Sequence, residues 1–395
     1  TMTEQNRNAM TMFRSVLAEA DNWSLDEKAV YIEGDSGNFY RIAAENDNHN
    51  MFEIQGFRNF ADTQGDDAGC YLCINRHDKT ADLPLGDHLA TVVLTLTSDV
   101  EFAERIGSLA GMRIALDPGN GVGGVILESL FQRFGATTEI INGEPDGRFP
   151  NRPSEPAPKN IGALMELVAA GDFDCGIAFD GDGDRLGIVT NLGEAVDADK
   201  ILMLLVKHIA PKYPAAPIIY DVKCSSNLAR VITAMGAIPV MHRSGHSFMK
   251  QKMQETGAPL GGEFSAHIFI KDRWFGFDDG LYAAARVLEI LSHLQHSAHE
   301  EFASFPSSLN TPEIKLPVPE AAKFELMQRI IDKAKFPGAK VVLLDGLRDE
   351  NSDGWGLVRS SNTQPVIVCR FEANTAERME EIQSIVMNKL QEVGK

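Results

Sequence analysis

No apolar run in this 395-residue chain approaches the roughly 18 residues that a membrane-spanning helix needs. No membrane partner is therefore expected. The segment Thr1 to Met12 is polar and lacks the apolar stretch of a secretory signal, so a cytoplasmic location is expected. Cysteine is scarce: Cys70, Cys73, Cys175, Cys224 and Cys369 make five. Their odd number and wide spacing argue against a disulfide framework and for a reducing compartment. Cys70 and Cys73 form a C-x-x-C with His77 four residues on, but no second such pair supplies the remaining zinc ligands. Ordinary thiols are the plainer reading there, with a zinc or redox site as the alternative. Positive charge is also short, with 37 Lys and Arg against 56 Asp and Glu and a net charge of −19. A nucleic-acid partner is not expected, because a phosphate backbone demands a basic face. An anionic substrate would need a local basic pocket or a metal ion.

Apolar residues are not lacking. At 44% hydrophobic and 24% charged, the chain has an ordinary globular composition and can bury sizeable cores. Its length suits two to four domains. Residues 1–100 hold 17 acids and 7 bases, the most acidic quarter of the chain. A helix is expected over residues 8–20, then strands at Ala29–Glu33, Phe39–Ile42, Cys70–Ile74 and Leu89–Leu96. From about residue 98 the pattern changes to alternating strands and helices. A strand at Met112–Leu116 leads into a glycine-rich stretch, Pro118 to Gly124. A helix to Phe134, a strand at Thr137–Ile141, a helix at Ile161–Ala170, and strands at Cys175–Phe179 and Leu186–Val189 follow. The alternation repeats over residues 217–293, with strands at Ile218–Val222 and Ile238–Met241, short strands around Gly262–His267, and helices at Asn227–Met235, Phe248–Thr256 and Asp279–His293. Such alternation predicts layered α/β sheets with ligands at the carboxyl ends of the strands. Ala298–Pro319, rich in Ser and Pro, is expected to be a linker. Helix, three strands and helix over residues 320–393 predict a small α+β domain.

Asp180-Gly181-Asp182-Gly183-Asp184-Arg185 carries the most chemistry. Three carboxylates at i, i+2 and i+4 can converge on one hard cation, and the glycines permit the turn that brings them together. An EF-hand is excluded, because its Gly at position 6 and Glu at position 12 are here Arg185 and Asn191. A plain acidic turn is the bland alternative. Arg185 beside the carboxylates points to an anion, most simply phosphate. Lys223 lies at a predicted strand end in Asp221-Val222-Lys223-Cys224, where α/β sheets gather ligands. His246 stands at a predicted helix start. Glu263, Ser265 and His267 occupy alternate positions, so in a strand all three would face one side. Arg359, Ser361, Asn362 and Thr363 fall in a loop suited to cradle a phosphate dianion, or to form a hydrogen-bonded turn.

The ordered motifs D-G-D-G-D-R, G-E-x-S-x-H and R-x-S-N-T-x-P, with the flanks Asp117–Gly124 and Lys271–Gly280, resemble the α-D-phosphohexomutases. The bacterial phosphomannomutase/phosphoglucomutase branch is the nearest, and the resemblance runs from about residue 97 to the end. It implies α/β; successive mixed α/β domains of phosphohexomutase type around a cleft, plus a small C-terminal α+β domain. The expected divisions are 1–97, 98–196, 197–305 and 306–395. The family reaction moves a phosphoryl group between O1 and O6 of a hexose through a bisphosphorylated sugar. By resemblance, Asp180, Asp182 and Asp184 hold Mg²⁺, and Arg185 and Lys223 contact the transferring phosphoryl group. His246 serves as general acid or base. Glu263 and Ser265 read sugar hydroxyls with His267 alongside, and Arg359, Ser361, Asn362 and Thr363 hold the other phosphate. The implied ligand is mannose or glucose 1- or 6-phosphate, bound by a monomer or weak dimer.

The sequence departs from the family pattern in two places. Phe264 and Ala266 stand where the sugar loop commonly has Met and Gly. The family also carries its phosphoryl group on a serine in T-x-S-H-N-P, and no such sequence occurs here. Gly69 to His77, the nearest run by position, has no Ser or Thr, which leaves Thr80 and Ser36 as weak candidates. The expected function is therefore a Mg²⁺-dependent phosphohexomutase, an isomerase. The alternative is a phosphosugar-binding or regulatory homologue without the serine carrier.

Overall fold

The computed structural model describes five strands within residues 23–75, and residues 106–319, 322–333, 339–361 and 365–394. The five strands are β1 (Trp23–Leu25), β2 (Ala29–Glu33), β3 (Phe39–Ala44), β4 (Met51–Phe57) and β5 (Tyr71–Asn75). They form an antiparallel meander in chain order. The helix expected over 8–20, the strand at 89–96, the side chains of Cys70, Cys73 and His77, and those of Thr80 and Ser36 lie outside the described residues.

The second sheet has the order β10-β9-β8-β6-β7. Its strands are β6 (Arg113–Asp117), β7 (Thr137–Ile140), β8 (Cys175–Phe179), β9 (Leu186–Thr190) and β10 (Ala195–Val196). β6 runs parallel to both β7 and β8, whereas β8, β9 and β10 are antiparallel neighbours. The chain leaves β6 toward one side and returns on the other, opening a crevice at the carboxyl ends of β6 and β8. β8 and β9 are buried throughout, which is why they read as unbroken apolar runs. Helix α1 (Leu127–Arg133) covers one face with Leu127, Leu130 and Phe131, and α2 (Gly162–Ala170) covers the other with Leu164 and Val168.

The third sheet, β12-β11-β13-β14, repeats the scheme. β11 (Pro217–Asp221) is parallel to β12 (Ile238–His242) and β13 (Leu260–Gly262), and β14 (Ile268–Ile270) closes it antiparallel. Helix α5 (His246–Thr256) packs Met249 and Met253 on one face, and α4 (Ser226–Ala234) packs on the other. Two further helices, α3 (Ala198–Ile209) and α6 (Gly280–Ser292), touch β9 of the second sheet and β13 or β14 of the third. They fuse the two layered units into one continuous core. The run Ile201 to Val206 in α3 is buried on every side. It therefore lacks the one-sided periodicity that marks a surface helix, and the sequence pattern did not distinguish it.

The linker expected over 298–319 is corrected by the structure. Ala298–Ala303 is helix α7, started by a capping box in which Ser297 and Glu300 satisfy each other's backbone amides. Leu309–Asn310 (β15) and Ile314–Pro317 (β16) both pair with β20 (Val366–Ala373). Ile314 and Leu316 alternate into the last core, so the prolines sit on an edge strand rather than in a free loop. The last sheet is completed by β17 (Lys340–Val342), β18 (Leu347–Asn351) and β19 (Gly354–Ser360), all antiparallel. Helices α8 (Lys323–Lys333) and α9 (Ala376–Gly394) cover one face. The other face presents Trp355 and Leu357 to Val222 of the third unit.

Asp349 in β18 is buried, and its Oδ1 accepts the Gly356 amide at 3.1 Å. Burial pushes its carboxyl up from an ordinary 3.8 to about 7. A carboxyl that holds its proton more tightly when folded loses stability as pH rises through that interval. Asp349→Asn should therefore be more stable than the parent at about pH 8 and no more stable at about pH 4, read from urea midpoints. An equal effect at both pH values would contradict the assignment.

Candidate active site

The acidic hexapeptide joins β8 to β9 at the carboxyl end of the second sheet. Asp180 is buried, and its Oδ1 accepts the amides of Gly183 and Arg185, both at 3.1 Å. Gly183 makes the turn at φ 79°, a conformation that penalises any β-carbon. Neighbouring backbone clamps the loop: Val122 N donates to Gly181 O and Gly280 N to Gly183 O, each at 3.0 Å. A β-carbon on Gly121 would lie 2.7 Å from the carbonyl oxygens of Asp180 and Gly181, and one on Gly280 2.5 Å from Gly183 O. The glycine-rich stretch after β6 thus serves close backbone approach to this loop. Arg152, buried, holds it from below, donating to Phe179 O at 2.6 Å and to Asp117 Oδ2 at 2.7 Å.

Oxygens of Asp180, Asp182 and Asp184 lie within 4.8 Å of one another. Burial and then the Asp184 carboxylate push Asp180 up to about 7, with Arg185 and His267 opposing. Asp182 is exposed on the outer side of the loop, and its pKa is raised too, by partial desolvation and then by Asp180. Asp184 Oδ1 is buried without a close hydrogen bond, its nearest cation being His267 Nε2 at 3.5 Å. Three carboxylates, raised pKa values and an unsatisfied inward oxygen fit a hard divalent cation. A second set, Asp184, His267 and Asp278, is equally close. It fits less well, because carboxylates on both sides of His267 favour the protonated ring, which has no lone pair to offer.

Arg185 links the metal loop to the third sheet. Its Nε lies 3.1 Å from Asp180 Oδ2 and 3.3 Å from His267 Nε2, and Leu186 N donates to Ala266 O at 3.2 Å. His267 Nδ1 is 3.2 Å from Glu263 Oε2 and 2.9 Å from Ser265 Oγ. Burial opposes charge on His267, but Asp184 and Glu263 outweigh it and raise its pKa well above the ordinary value. Burial likewise opposes charge on Glu263, where His267 and Lys223 prevail and lower its pKa. Glu263, Ser265 and His267 do meet, yet not on one face of a strand as the alternation predicted. They form a tight turn between β13 and β14, in which Ala266 N donates to Glu263 O and Ala266 takes φ 73°. The turn arises because Asp221 Oδ1 takes the Phe264 amide at 3.1 Å out of the sheet ladder.

His246 begins α5, with its ring stacked on that of His267 at 5.9 Å between centroids. Its Nδ1 is 3.2 Å from Asp278 Oδ2. Gly245 N, just before it, donates to Glu263 Oε1 at 2.6 Å. Lys223 follows β11 and is buried, its Nζ 3.7 Å from Asp221 and 3.5 Å from Glu313. Burial opposes its charge, but these carboxylates outweigh it and raise its pKa. Arg359, in β19, places Nε 2.9 Å from Asp345 Oδ2, which also accepts Ser244 N at 3.1 Å. Ser361 lies buried just beyond β19; Asn362 and Thr363 lie outside the described residues. A polar chain thus runs from the acidic loop, whose Asp184 Oδ1 lies 3.5 Å from His267 Nε2, through His267 and Glu263 to the 244–245 loop, and on through Asp345 to Arg359.

Asp221, Asp278, Asp345 and Arg152 hold this chain in place and were not assigned roles from sequence. Asp221 is the hub, binding Ser244 Oγ at 2.6 Å as well as the Phe264 amide. Its position at the carboxyl end of a central strand was the available signal. Asp345 sits in an ordinary Asp-Gly turn and gave none.

A layered α/β frame thus sets an acidic loop against a carboxylate–histidine turn. Family models agree in order: Phosphoglucomutase/phosphomannomutase alpha/beta/alpha domain II matches residues 93–193, domain III residues 197–308 and the C-terminal domain residues 313–389. The chain is 47% identical over 294 residues to the phosphomannomutase/phosphoglucomutase of Pseudomonas aeruginosa, covering 74% of this chain and 64% of that protein. It is 44% identical over 276 residues to a phosphoglucomutase of Neisseria meningitidis, covering 69% and 60%. The chain thus spans less than two thirds of these relatives. A crystal structure of a phosphoglucomutase/phosphomannomutase family protein from Burkholderia thailandensis superposes with TM-score 0.72 at 38% identity, over 82% of this chain and 73% of that one. The chain belongs to the phosphoglucomutase/phosphomannomutase family of α-D-phosphohexomutases.

Ala266 stands at a left-handed position that costs an L-residue about 1–2 kcal/mol. Ala266→Gly should raise stability by about 1 kcal/mol after the added freedom of the unfolded chain is subtracted. Chemical denaturation would measure it, and a neutral or lower midpoint would contradict the strained turn.

Proposed function

We propose that the chain is a Mg²⁺-dependent phosphohexomutase, an isomerase that shifts a phosphoryl group between O1 and O6 of mannose or glucose phosphate. The observation that carries this reading is the polar chain from the Asp180 loop to Arg359, which supports a cation site at one end and anion-binding arginines at both. Asp180, Asp182 and Asp184 would hold Mg²⁺, whose chemistry is to neutralise charge on phosphoryl oxygens. Arg185 and Lys223 stabilise the charge on the transferring group, where fixed positive groups count most. Glu263 spends one oxygen on Gly245 N and the other near His267, and its remaining lone pairs can accept sugar hydroxyls. Ser265 and His267 flank it. His246, with Nδ1 facing Asp278, would give or take a hydroxyl proton. Arg359 and Ser361, with Asn362 and Thr363, hold the phosphate that does not move. Among the described residues no helix is long and apolar enough to cross a membrane. A cytoplasmic monomer or weak dimer suits the acidic composition and the free buried cysteines at 175, 224 and 369.

A second reading is favoured by one fact: the sequence contains no T-x-S-H-N-P. The chain would then bind hexose phosphates without turning them over. Incubation with Mg²⁺, glucose 1,6-bisphosphate and glucose 1-phosphate separates the two. The enzyme reading predicts glucose 6-phosphate in a coupled assay and a phosphorylated residue within 1–97 by mass spectrometry. Asp182→Asn should cut the rate about 100-fold or more, the scale of one lost electrostatic stabiliser. Saturable binding without phosphorylation or turnover selects the second reading, and no binding at millimolar ligand rejects both.

A further inference from the structure

Beyond the residues that line the cleft, the loop carrying Lys223 has an unusual support. Its three successive carbonyls, Val222, Lys223 and Cys224, are all taken by arginines of the last sheet. Arg348 Nη1 donates to Val222 O at 2.5 Å and to Cys224 O at 3.0 Å, and Nη2 to Ser226 Oγ at 3.3 Å. Arg370 Nη1 donates to Lys223 O. Glu372 Oε1 then accepts the amide of Ser226, the first residue of α4, at 3.1 Å. Buried backbone must find partners, and here a neighbouring unit supplies them.

Both arginines are 1% exposed. Burying two cations is costly unless each is paired and its donors are used. Arg348 is paired with Glu350 at 3.0 Å, and Glu372 stands two residues beyond Arg370 on β20. Trp355 lies against both, 3.9 Å from the Arg348 guanidinium and 5.4 Å from that of Arg370. Arg370 also lies 3.6 Å over the ring of Phe264, the neighbour of Glu263. Strand register explains the arrangement: Arg348 on β18 and Arg370 on β20 both pair with Leu357 on β19. Arg359 is two residues further along β19, on the same face. One sheet face therefore holds the phosphate-side arginine, the support of the Lys223 backbone and a contact to the sugar turn.

We infer that Arg348 and Arg370 are positioning residues that fix the backbone from which Lys223 projects and, through Phe264, the turn that carries Glu263. Both stand on the last sheet, outside the acidic loop and the 263–267 turn. The inference deepens the proposed function and rests on it for the role of Lys223. A merely adhesive pair would be replaceable by any groups that keep the units together. A positioning pair needs the planar fork that reaches fixed carbonyls, which lysine lacks.

The test uses the full chain and three variants: Arg370→Lys, Arg370→Met, and Arg370→Met with Glu372→Gln, which removes a neighbouring carboxylate together with the cation. Amide hydrogen exchange over residues 217–226 is read beside calorimetric affinity for α-glucose 1-phosphate and for Mg²⁺ alone. Exchange at Val222–Ser226 should rise about tenfold or more and sugar-phosphate affinity fall about tenfold, the scale of a lost supporting contact. Mg²⁺ affinity should stay within about twofold, with Arg370→Lys close to the Met variants. Parent-like exchange and affinity in a folded variant would overturn the inference, as would equal loss of Mg²⁺ and sugar-phosphate binding. If the parent itself binds no glucose 1-phosphate, the functional reading falls. Exchange then decides the positioning role alone: a rise supports it and parity overturns it.

Discussion

The crowding of like charge at Asp180, Asp182 and Asp184 is the constraint around which the other parts are arranged. Their oxygens lie within 4.8 Å of one another, and neither Arg185 nor the amides of Gly183 and Arg185 suffice to keep the first two carboxyls at ordinary pKa values. A free loop would relieve the repulsion by opening. This one cannot, because backbone from residues 121–122 and 280 presses on it at distances that leave no room for a β-carbon. Arg152 fixes its entry from beneath. The fold holds carboxylates together that would otherwise separate, a strain that a divalent cation would relieve.

The cation loop and the sugar turn can be held to one geometry because α3 and α6 make the second and third sheets share a core. Direct backbone contact between Leu186 and Ala266 adds to it. The last sheet joins differently. Its contact is a small apolar cluster of Val222, Trp355 and Leu357 ringed by arginine-to-carbonyl bonds. Polar contacts of this kind demand geometry and reward it, because each unmet partner is costly. The overall charge of −19 therefore says little about the proposed site, to which three units contribute Arg185, Lys223 and Arg359.

Much of this was legible from residue 98 onward. Cys175–Phe179 was read to the residue, and Leu186–Val189 and Ile218–Val222 to within one residue at each end, because buried strands announce themselves as apolar runs; Thr137–Ile141, an exposed edge strand, was read as closely from its β-branched residues. The hexapeptide drew attention because its chemistry is local. What stayed hidden was non-local. Ile201–Val206 has no polar side from which to infer a helix. The stretch 298–319 looked like a linker because Ser and Pro dominate it, while Ile314 and Leu316 find their partners in β20 some fifty residues later. Glu263, Ser265 and His267 were grouped correctly on the wrong geometry, since the carboxylate that bends the turn, Asp221, comes from another strand. Arg348 and Arg370 carry no local signal at all. Their meaning lies in whose carbonyls they reach.

The central claim is that the acidic loop is a cation site whose carboxylates stay partly protonated until the cation arrives. Calorimetric titration of Mg²⁺ near pH 7, repeated in buffers of different ionisation enthalpy, tests it directly. The account predicts saturable binding with net proton release that fades toward about pH 9, where Asp180 and Asp182 have already ionised. Absence of binding, or binding with no proton release near pH 7, would contradict it.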